Sequence, residues 1–225
     1  MDIKPSKPSK CVLSGEDKEI QVFKGPPYKL EKSIQKIHAG FVTKIAFTPW
    51  DEGAHFITVS QDKSLKVHNS ETYETVLEHA GLHTMGINDF CFTENANEIV
   101  TCSSDRTVKV WRVNFETKAL EEVRTLGLSE IDTEEFKDNV DKQILGLAWN
   151  NGQVMSVSCN TDINAWAADH NSPVSTIRGH ANTINKVANF KGQWIASGDN
   201  DGRLLLWNPK TGIATRSSSL FKSKI

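Results

Sequence analysis

A short frame of residues recurs five times along the 225-residue chain and constrains its fold more than any other feature. In the stretch SSDRTVKVW, Ser103 to Trp111, a polar turn carries Asp105 and leads into alternating apolar residues and a tryptophan. The same frame recurs at intervals of 45, 43, 55 and 41 residues, with turn residues Asp17, Asp62, Asp105, Asn160 and Asp201. Internal repeats of this length indicate a repeat architecture in which each unit packs on its neighbours.

Each unit has the pattern of short β-strands separated by polar turns. Apolar and polar residues alternate with a period of two, and an Asp in a turn can bond nearby backbone amides. No segment of the sequence has sustained helical periodicity. Three or four strands in about 40 residues are typical of one propeller blade. The sequence therefore predicts an all-β chain of about five four-stranded blades.

A histidine upstream of the turn, a hydroxyl residue four positions before it and a Gly-His pair at 179–180 extend the frame. This pattern resembles the WD-repeat β-propellers, in which a His, a Ser or Thr, the turn Asp and a Trp form a buried hydrogen-bonded set in each blade. When the repeat frame aligns this family pattern with the chain, the resemblance implies three such sets. The first contains His38, Thr58 and Asp62, with His68 in place of Trp. The other two contain His83, Thr101, Asp105 and Trp111, and His180, Ser197, Asp201 and Trp207. The fourth unit has Val140 and Asn160 at the His and Asp positions, which implies an incomplete set.

A second stretch narrows the resemblance. FKGPPYKLEKSI, Phe23 to Ile34, is similar to a segment of the actin-interacting protein 1 family, in which a rigid Gly-Pro-Pro corner follows a third strand. Stretches at 144–166 and 170–180 resemble the same family in the same order. The resemblance covers about residues 2 to 215 and implies the central part of that family's first propeller. We therefore expect an incomplete ring of blades.

The repeat frame divides the chain into six segments. We predict a first, partial blade at 1–36, WD repeats at 37–80 and 81–126, an acidic insertion at 127–142, a WD-like repeat at 143–178, and a WD repeat with a C-terminal strand at 179–225. An open arc leaves unpartnered blade faces at its ends, so self-association through those ends is expected.

The interval between the third and fourth turns contains the strongest charge feature. LSEIDTEEFKDNVDK, Leu128 to Lys142, has six acidic and two basic residues. One interpretation is a solvated loop. The other follows from the resemblance, because that family has acidic residues on the loop entering this blade; the candidate partner-binding residues are Asp132, Glu134, Glu135, Asp138 and Asp141. Trp50, beside Pro49 and a turn, is a further candidate anchor.

The composition argues against several functional classes. Lys and Arg total 26 against 28 Asp and Glu, which gives no basic excess for nucleic acid, and no apolar run could span a membrane. The four cysteines form no CxxC pair, which indicates a reducing cytoplasmic setting. The sequence predicts no metal, no cofactor and no catalytic constellation. Lys4, Lys7 and Lys10, interleaved with prolines, are predicted to lie in a solvated turn.

The sequence indicates a function only through this resemblance. It implies a non-catalytic, actin-regulating binding module of the cytoplasmic actin cytoskeleton, which engages actin filaments decorated with cofilin and promotes their disassembly. A WD-repeat scaffold for a different protein complex is the alternative that the residues leave open.

Overall fold

The computed structural model describes residues 1–4, 6, 9–15, 17–127, 143–167, 173–190 and 192–219. Within these ranges the chain forms twenty β-strands and no helix, so no helix there could cross a bilayer. The strands assemble into five four-stranded antiparallel sheets, each a meander of consecutive strands, which we call blades 1 to 5. The predicted all-β class and the five four-stranded blades are confirmed.

The blades follow one another in chain order. Blade 1 contains β1 (Asp2–Ile3), β2 (Lys10–Ser14), β3 (Ile20–Lys24) and β4 (Lys29–Ile34). Blade 2 contains β5 (Val42–Phe47), β6 (His55–Ser60), β7 (Leu65–Asn69) and β8 (Thr75–His79). Blade 3 contains β9 (Ile87–Phe92), β10 (Glu98–Ser103), β11 (Thr107–Asn114) and β12 (Ala119–Gly127). Blade 4 contains β13 (Ile144–Asn150), β14 (Gln153–Ser158), β15 (Asp162–Ala167) and β16 (Ser175–Arg178), and blade 5 contains β17 (Ile184–Phe190), β18 (Trp194–Asp199), β19 (Arg203–Asn208) and β20 (Ile213–Ser219).

The position of a strand within its blade follows from its residues. The second strand of blade 3, β10 (EIVTCS), is buried along its whole length and contains only one charged residue. Because both faces of such a strand meet other strands, small and β-branched residues are favoured at successive positions. Fourth strands are more polar, and five of the six residues of β4 are exposed. Each blade therefore has a buried middle and an exposed outer edge.

The hydrophobic core is divided into four clusters, each lying between two adjacent blades. Phe56 joins Val12 between blades 1 and 2, and Phe90 joins Val67 between blades 2 and 3. The clusters between blades 3 and 4 and between blades 4 and 5 contain Leu126 with Leu147 and Met155 with Trp207. Each blade thus buries its apolar faces against its neighbours, as expected for a repeat protein.

The first strands of successive blades, β5, β9, β13 and β17, lie side by side at the inner edge of the arc. Among the described residues, no strand of blade 5 pairs with a strand of blade 1. The ring is therefore not closed, as predicted.

A buried carboxylate that the sequence did not single out links these inner strands. Asp89 on β9 has a side chain only 1% exposed, and it contacts Lys44 of blade 2 at 2.6 Å and Lys186 of blade 5 at 2.9 Å. The backbone N–H of Leu147 in blade 4 donates to the same carboxylate at 3.1 Å. One side chain thereby connects four blades.

The prediction of a solvated N-terminal turn is wrong for Lys4 and Lys10, which are 8% and 1% exposed. The Lys10 ammonium donates to the Ser70 carbonyl, the Glu71 carboxylate and the Tyr73 hydroxyl at 2.8 to 2.9 Å. These partners lie in the turn after β7, so the two lysines attach blade 1 to blade 2. Lys7 lies outside the described residues.

Candidate functional site

Blade 3 contains the complete set of polar residues that the repeat frame predicts. The His83 ring lies between the strand and the turn, with Nε2 2.8 Å from Thr101 Oγ1 and Nδ1 3.0 Å from Asp105 Oδ2. The Trp111 indole N–H donates to Thr101 Oγ1 at 2.9 Å. One assignment of protons satisfies every group: indole to threonine, threonine to Nε2, and Nδ1–H to the carboxylate. A buried chain of this kind fixes the loop that carries His83.

Thr107 belongs to the same set and was not identified from the sequence. Its hydroxyl donates to Asp105 Oδ1 at 2.7 Å, and its backbone N–H donates to the same atom at 2.9 Å. Burial alone would raise the pKa of the Asp105 carboxyl, but the bonds from His83 and Thr107 outweigh it and lower that pKa well below its usual range. The spacing Asp-x-Thr in the turn is the signal that points to this hydroxyl.

Blade 2 builds the same arrangement with a histidine in the tryptophan position. His38 Nε2 lies 2.8 Å from Thr58 Oγ1, and His38 Nδ1 lies 3.1 Å from Asp62 Oδ2. His68 Nε2 lies 3.0 Å from the same Thr58 oxygen. Burial lowers the pKa of His68 to about 3 and leaves the ring neutral, whereas bonds from Ser64 outweigh burial at Asp62 and lower its pKa to about 2.

Blade 5 requires a correction, because Asp201 is not the carboxylate that pairs with the histidine. His180 Nδ1 lies 2.6 Å from Asp199 Oδ2, and Nε2 lies 2.6 Å from Ser197 Oγ, which also accepts from Trp207. Asp199 is the last residue of β18 and is 1% exposed. Asp201 is exposed and accepts a hydrogen bond from Asn182. The repeat frame selected the wrong carboxylate because Asp occurs twice in this turn, and only Asp199 points towards the His180 ring.

Blade 4 retains only the inner half of the set. The Trp166 indole donates to Ser156 Oγ at 2.7 Å, as in the other blades. Asn160 accepts from the Ser158 hydroxyl at 2.8 Å. A cavity of about 200 Å³ is lined by Ser156, Asn160 and Trp166, among other residues. Val140, which the frame places at the histidine position, lies outside the described residues.

These hydrogen-bonded sets hold one face of the arc, which we call the histidine face. It consists of the loops that enter the first strands, at 37–41 and 82–86, together with the turns at 61–64 and 104–106. Phe41 and Met85 project from the entering loops and are 53% and 47% exposed. The loops are tied to the turns by the Gln61 N–H to the Phe41 carbonyl and the Ser104 N–H to the Gly86 carbonyl. Two exposed apolar side chains therefore stand on a fixed surface.

The acidic candidates Asp132, Glu134, Glu135, Asp138 and Asp141 lie outside the described residues. The residues on either side of that segment are described. Gly127 pairs with Thr107 beside the turn at 104–106, and the Gln143 carbonyl accepts from Cys159 N–H at 3.0 Å. The two residues that flank the acidic segment, Gly127 and Gln143, therefore lie at the histidine face.

Trp50 does not lie on this face. Its ring is half-buried and packs edge-on against Phe92 of blade 3, with ring centroids 5.0 Å apart. The indole N–H is buried and has no hydrogen-bond partner within the described part of the chain. The structure therefore places Trp50 between blades 2 and 3, where most of its surface is unavailable to a partner.

The described residues contain no group of His, Cys, Asp or Glu side chains that could hold a metal ion. The four cysteines are free. The polar residues of each set bond to one another within the blade, so they hold its loops and turns in place.

Comparison with known proteins agrees with this architecture. The family model described as WD domain, G-beta repeat matches residues 75–112 and 171–208. The first match starts in β8 of blade 2 and ends in β11 of blade 3, so the sequence repeat is offset from the blade and links two neighbours. The fold is an open arc of five four-stranded β-propeller blades, and two stretches of the chain match the WD-repeat model.

Among curated proteins, the chain is similar to two named relatives over nearly its whole length. It is 28% identical to WD repeat-containing protein 1 of Gallus gallus over 94% of the chain. It is 26% identical to actin-interacting protein 1 of Drosophila melanogaster over 96% of the chain. The match covers 33% of each of those proteins, so the chain spans about a third of their length. The resemblance to actin-interacting protein 1 is thereby confirmed.

Proposed function

We propose that this chain is a non-catalytic, actin-regulating binding module that engages cofilin-decorated actin filaments and promotes their disassembly. The observation that carries the proposal is the similarity, over 94 to 96% of the chain, to proteins named WD repeat-containing protein 1 and actin-interacting protein 1. Association with the cytoplasmic actin cytoskeleton is part of the same proposal. A fixed arc with an exposed face suits a role in which binding, rather than chemistry, produces the effect.

The histidine face is the surface that we propose for the filament. Phe41 and Met85 supply apolar contact area, and exposed apolar side chains on a rigid support are typical of interaction sites. Lys18 Nζ lies 5.9 Å from the Phe41 ring centroid and adds a positive charge beside it. Gly127 and Gln143, which flank the acidic segment, lie at this face, and the proposal includes the carboxylates of that segment as contacts. Trp50 is not included, because its ring is committed to the contact between blades.

Co-sedimentation with actin filaments, with and without bound cofilin, tests the proposal. We expect the wild-type chain to pellet with cofilin-decorated filaments, and we expect the double variant Phe41→Ala, Met85→Ala to lose most of that binding. The matched control is Leu30→Ala, Val174→Ala, because these side chains are 56% and 41% exposed but lie away from the histidine face. Absence of pelleting by the wild-type chain would instead favour a WD-repeat scaffold for a different complex.

The acidic segment has its own test. Charge reversal at Asp138 and Asp141 is expected to weaken co-sedimentation, mainly through a slower encounter, and to make binding lose less strength as salt is added. Unchanged pelleting would remove the segment from the proposed interface. Filament length measured by microscopy then tests whether binding leads to disassembly.

Self-association through the open ends of the arc is a separate proposal. The free faces of blades 1 and 5 are expected to associate at high protein concentration, since each blade elsewhere buries its apolar face on a neighbour. Sedimentation equilibrium over a range of concentrations measures this, and a constant monomer mass would exclude it.

A further inference from the structure

The first strands of blades 2 to 5 bring four equivalent positions together at the inner edge of the arc. Near its start, each of these strands has a shift in its register with the second strand of its blade. The residue that follows the shift is Lys44 in blade 2, Asp89 in blade 3, Gly146 in blade 4 and Lys186 in blade 5. Corresponding places on four successive strands therefore hold two bases, one acid and one residue without a side chain.

The Asp89 carboxylate is shared between the two lysines. Its Oδ1 atom lies 2.6 Å from Lys44 Nζ and its Oδ2 atom lies 2.9 Å from Lys186 Nζ, so each oxygen contacts a different ammonium. The backbone N–H groups of Phe90 and Leu147 donate to Oδ1 and Oδ2 at 2.8 and 3.1 Å. Because the carboxylate is only 1% exposed, these partners must replace the water that it loses on folding.

Lys186 reaches Asp89 past the first strand of blade 4, where Gly146 contributes no side chain. A Cβ atom added at position 146 would lie 3.5 Å from Asp89 Oδ2 and 3.2 Å from Val157 Cγ2. A longer side chain there would compete with Lys186 for the space beside the carboxylate. The glycine thus permits an ion pair between blades 3 and 5, which are not neighbours along the arc.

We propose that Lys44, Asp89 and Lys186 form an electrostatic strap that couples blades 2 to 5 into one cooperative unit and fixes the curvature of their inner edge. In a repeat protein, each repeat is ordinarily coupled only to its neighbours. The strap adds a direct link from blade 3 to blade 5 and, through the shared carboxylate, from blade 2 to blade 5. Blade 1 is attached by a different contact, the ion pair of Lys10 with Glu71. The inference does not depend on the proposed actin-related function.

Amide hydrogen exchange measured by NMR tests whether the coupling reaches distant blades. The variant is Lys186→Met, and the matched control is Lys210→Met, which changes an exposed lysine in the turn after β19 of the same blade. We expect Lys186→Met to speed exchange several-fold at the Leu147 N–H and along β5 of blade 2, and to leave β3 of blade 1 unchanged. The control should behave as wild type. Faster exchange confined to blades 4 and 5 would overturn the proposal.

Combined variants test whether the two lysines act through the same carboxylate. Lys44→Met and Lys186→Met each leave Asp89 with one ammonium, whereas the double variant leaves a buried charge without a counter-ion. We therefore expect the melting temperature of the double variant to fall by more than the two single falls together. Adding Asp89→Asn removes the unpaired charge and should restore most of that loss. Additive falls, or a triple variant that melts no higher than the double variant, would show that the lysines act separately and overturn the proposal.

Discussion

Blades 3 and 4 have the same strand order and share a hydrophobic cluster, yet they differ in how their turns are held. In blade 3, His83 and Asp105 tie the entering loop to the turn between the second and third strands. Blade 4 keeps the bond from Trp166 to Ser156 and has a cavity beside it. The comparison indicates that the meander and the core between blades build the sheet, whereas the His–Asp pair fixes the loops on one face.

The register of the third and fourth strands can also be compared between blades. In blade 3 the pairing of β11 with β12 shifts between Val110 and Trp111, and equivalent shifts occur next to His68 and Trp207. Blade 1 has the same shift, between Val22 and Phe23. A bulge redirects the side chain beside it. Because blade 1 shares the bulge, the bulge belongs to the meander of the blade and not to the His–Asp pair.

Removing the turn residue should have the largest effect and should differ most between these blades. Asp105→Ala leaves the Nδ1–H of His83 and the N–H groups of Thr84 and Thr107 without an acceptor, so we expect a loss of about 3 kcal/mol of unfolding free energy. Asn160→Ala in blade 4 should cost about 1 kcal/mol. Urea unfolding followed by circular dichroism measures both. Similar losses would mean that the two turns are equally important.

Blade 5 sharpens the comparison, because it contains a complete set with an unexpected carboxylate. Asp199→Ala should cost about 2 kcal/mol, since Asp199 accepts from His180 and from the backbone N–H groups of Asp201 and Arg203. Asp201→Ala, at an exposed position, should change stability by less than about 0.5 kcal/mol. The same urea experiment decides between them, and a larger loss at Asp201 would restore the assignment made from the repeat frame.

Blade 2 adds a dependence on pH through His68, a histidine at the position that Trp111 holds in blade 3. Because burial holds the pKa of His68 at about 3 in the fold, against 6.5 for an ordinary histidine, the unfolded chain binds the extra proton first. This contribution to stability is complete above pH 6.5 and is lost as the pH falls towards 3, with a slope of at most about 1.4 kcal/mol per pH unit.

The measurement is urea unfolding at pH values from 7 to 4. His68→Gln, which keeps polar atoms but does not titrate, is expected to reduce the slope over this range and to leave the part that comes from His38, whose pKa burial also lowers. The control His79→Gln changes a half-buried histidine outside the hydrogen-bonded set and should keep the slope. An unchanged slope in His68→Gln would assign the pH dependence to other groups.

The smallest effects concern a single methyl group. Thr101→Ser in blade 3 removes a buried methyl and should cost about 1 kcal/mol. The reverse change, Ser156→Thr in blade 4, places a methyl beside a cavity of about 200 Å³ and should be neutral within about 0.5 kcal/mol. Thermal unfolding of the two variants compares them. Destabilisation by Ser156→Thr would indicate that the blade-4 cavity is not open to the strand.

Much of this fold was predictable because it depends on local pattern. The alternation in TVKVW predicts a strand, the Asp-containing turn predicts its start, and the interval between copies predicts the blade. The hydrogen-bonded sets of blades 2 and 3 were implied by the resemblance to WD repeats, and the fixed offsets from the turn residue only located their members. Periodicity and turn chemistry are properties of a few consecutive residues, and for this reason a linear sequence contains them.

Only the tertiary structure decided which contacts form between segments that are distant in the chain. Asp89 meets Lys186 across 97 positions, and Lys10 meets Tyr73 across 63, so no local spacing relates them. The choice of Asp199 over Asp201 depends on which side chain faces the ring of His180. Such outcomes depend on the packing of one blade against the next, which exists only once the arc has formed.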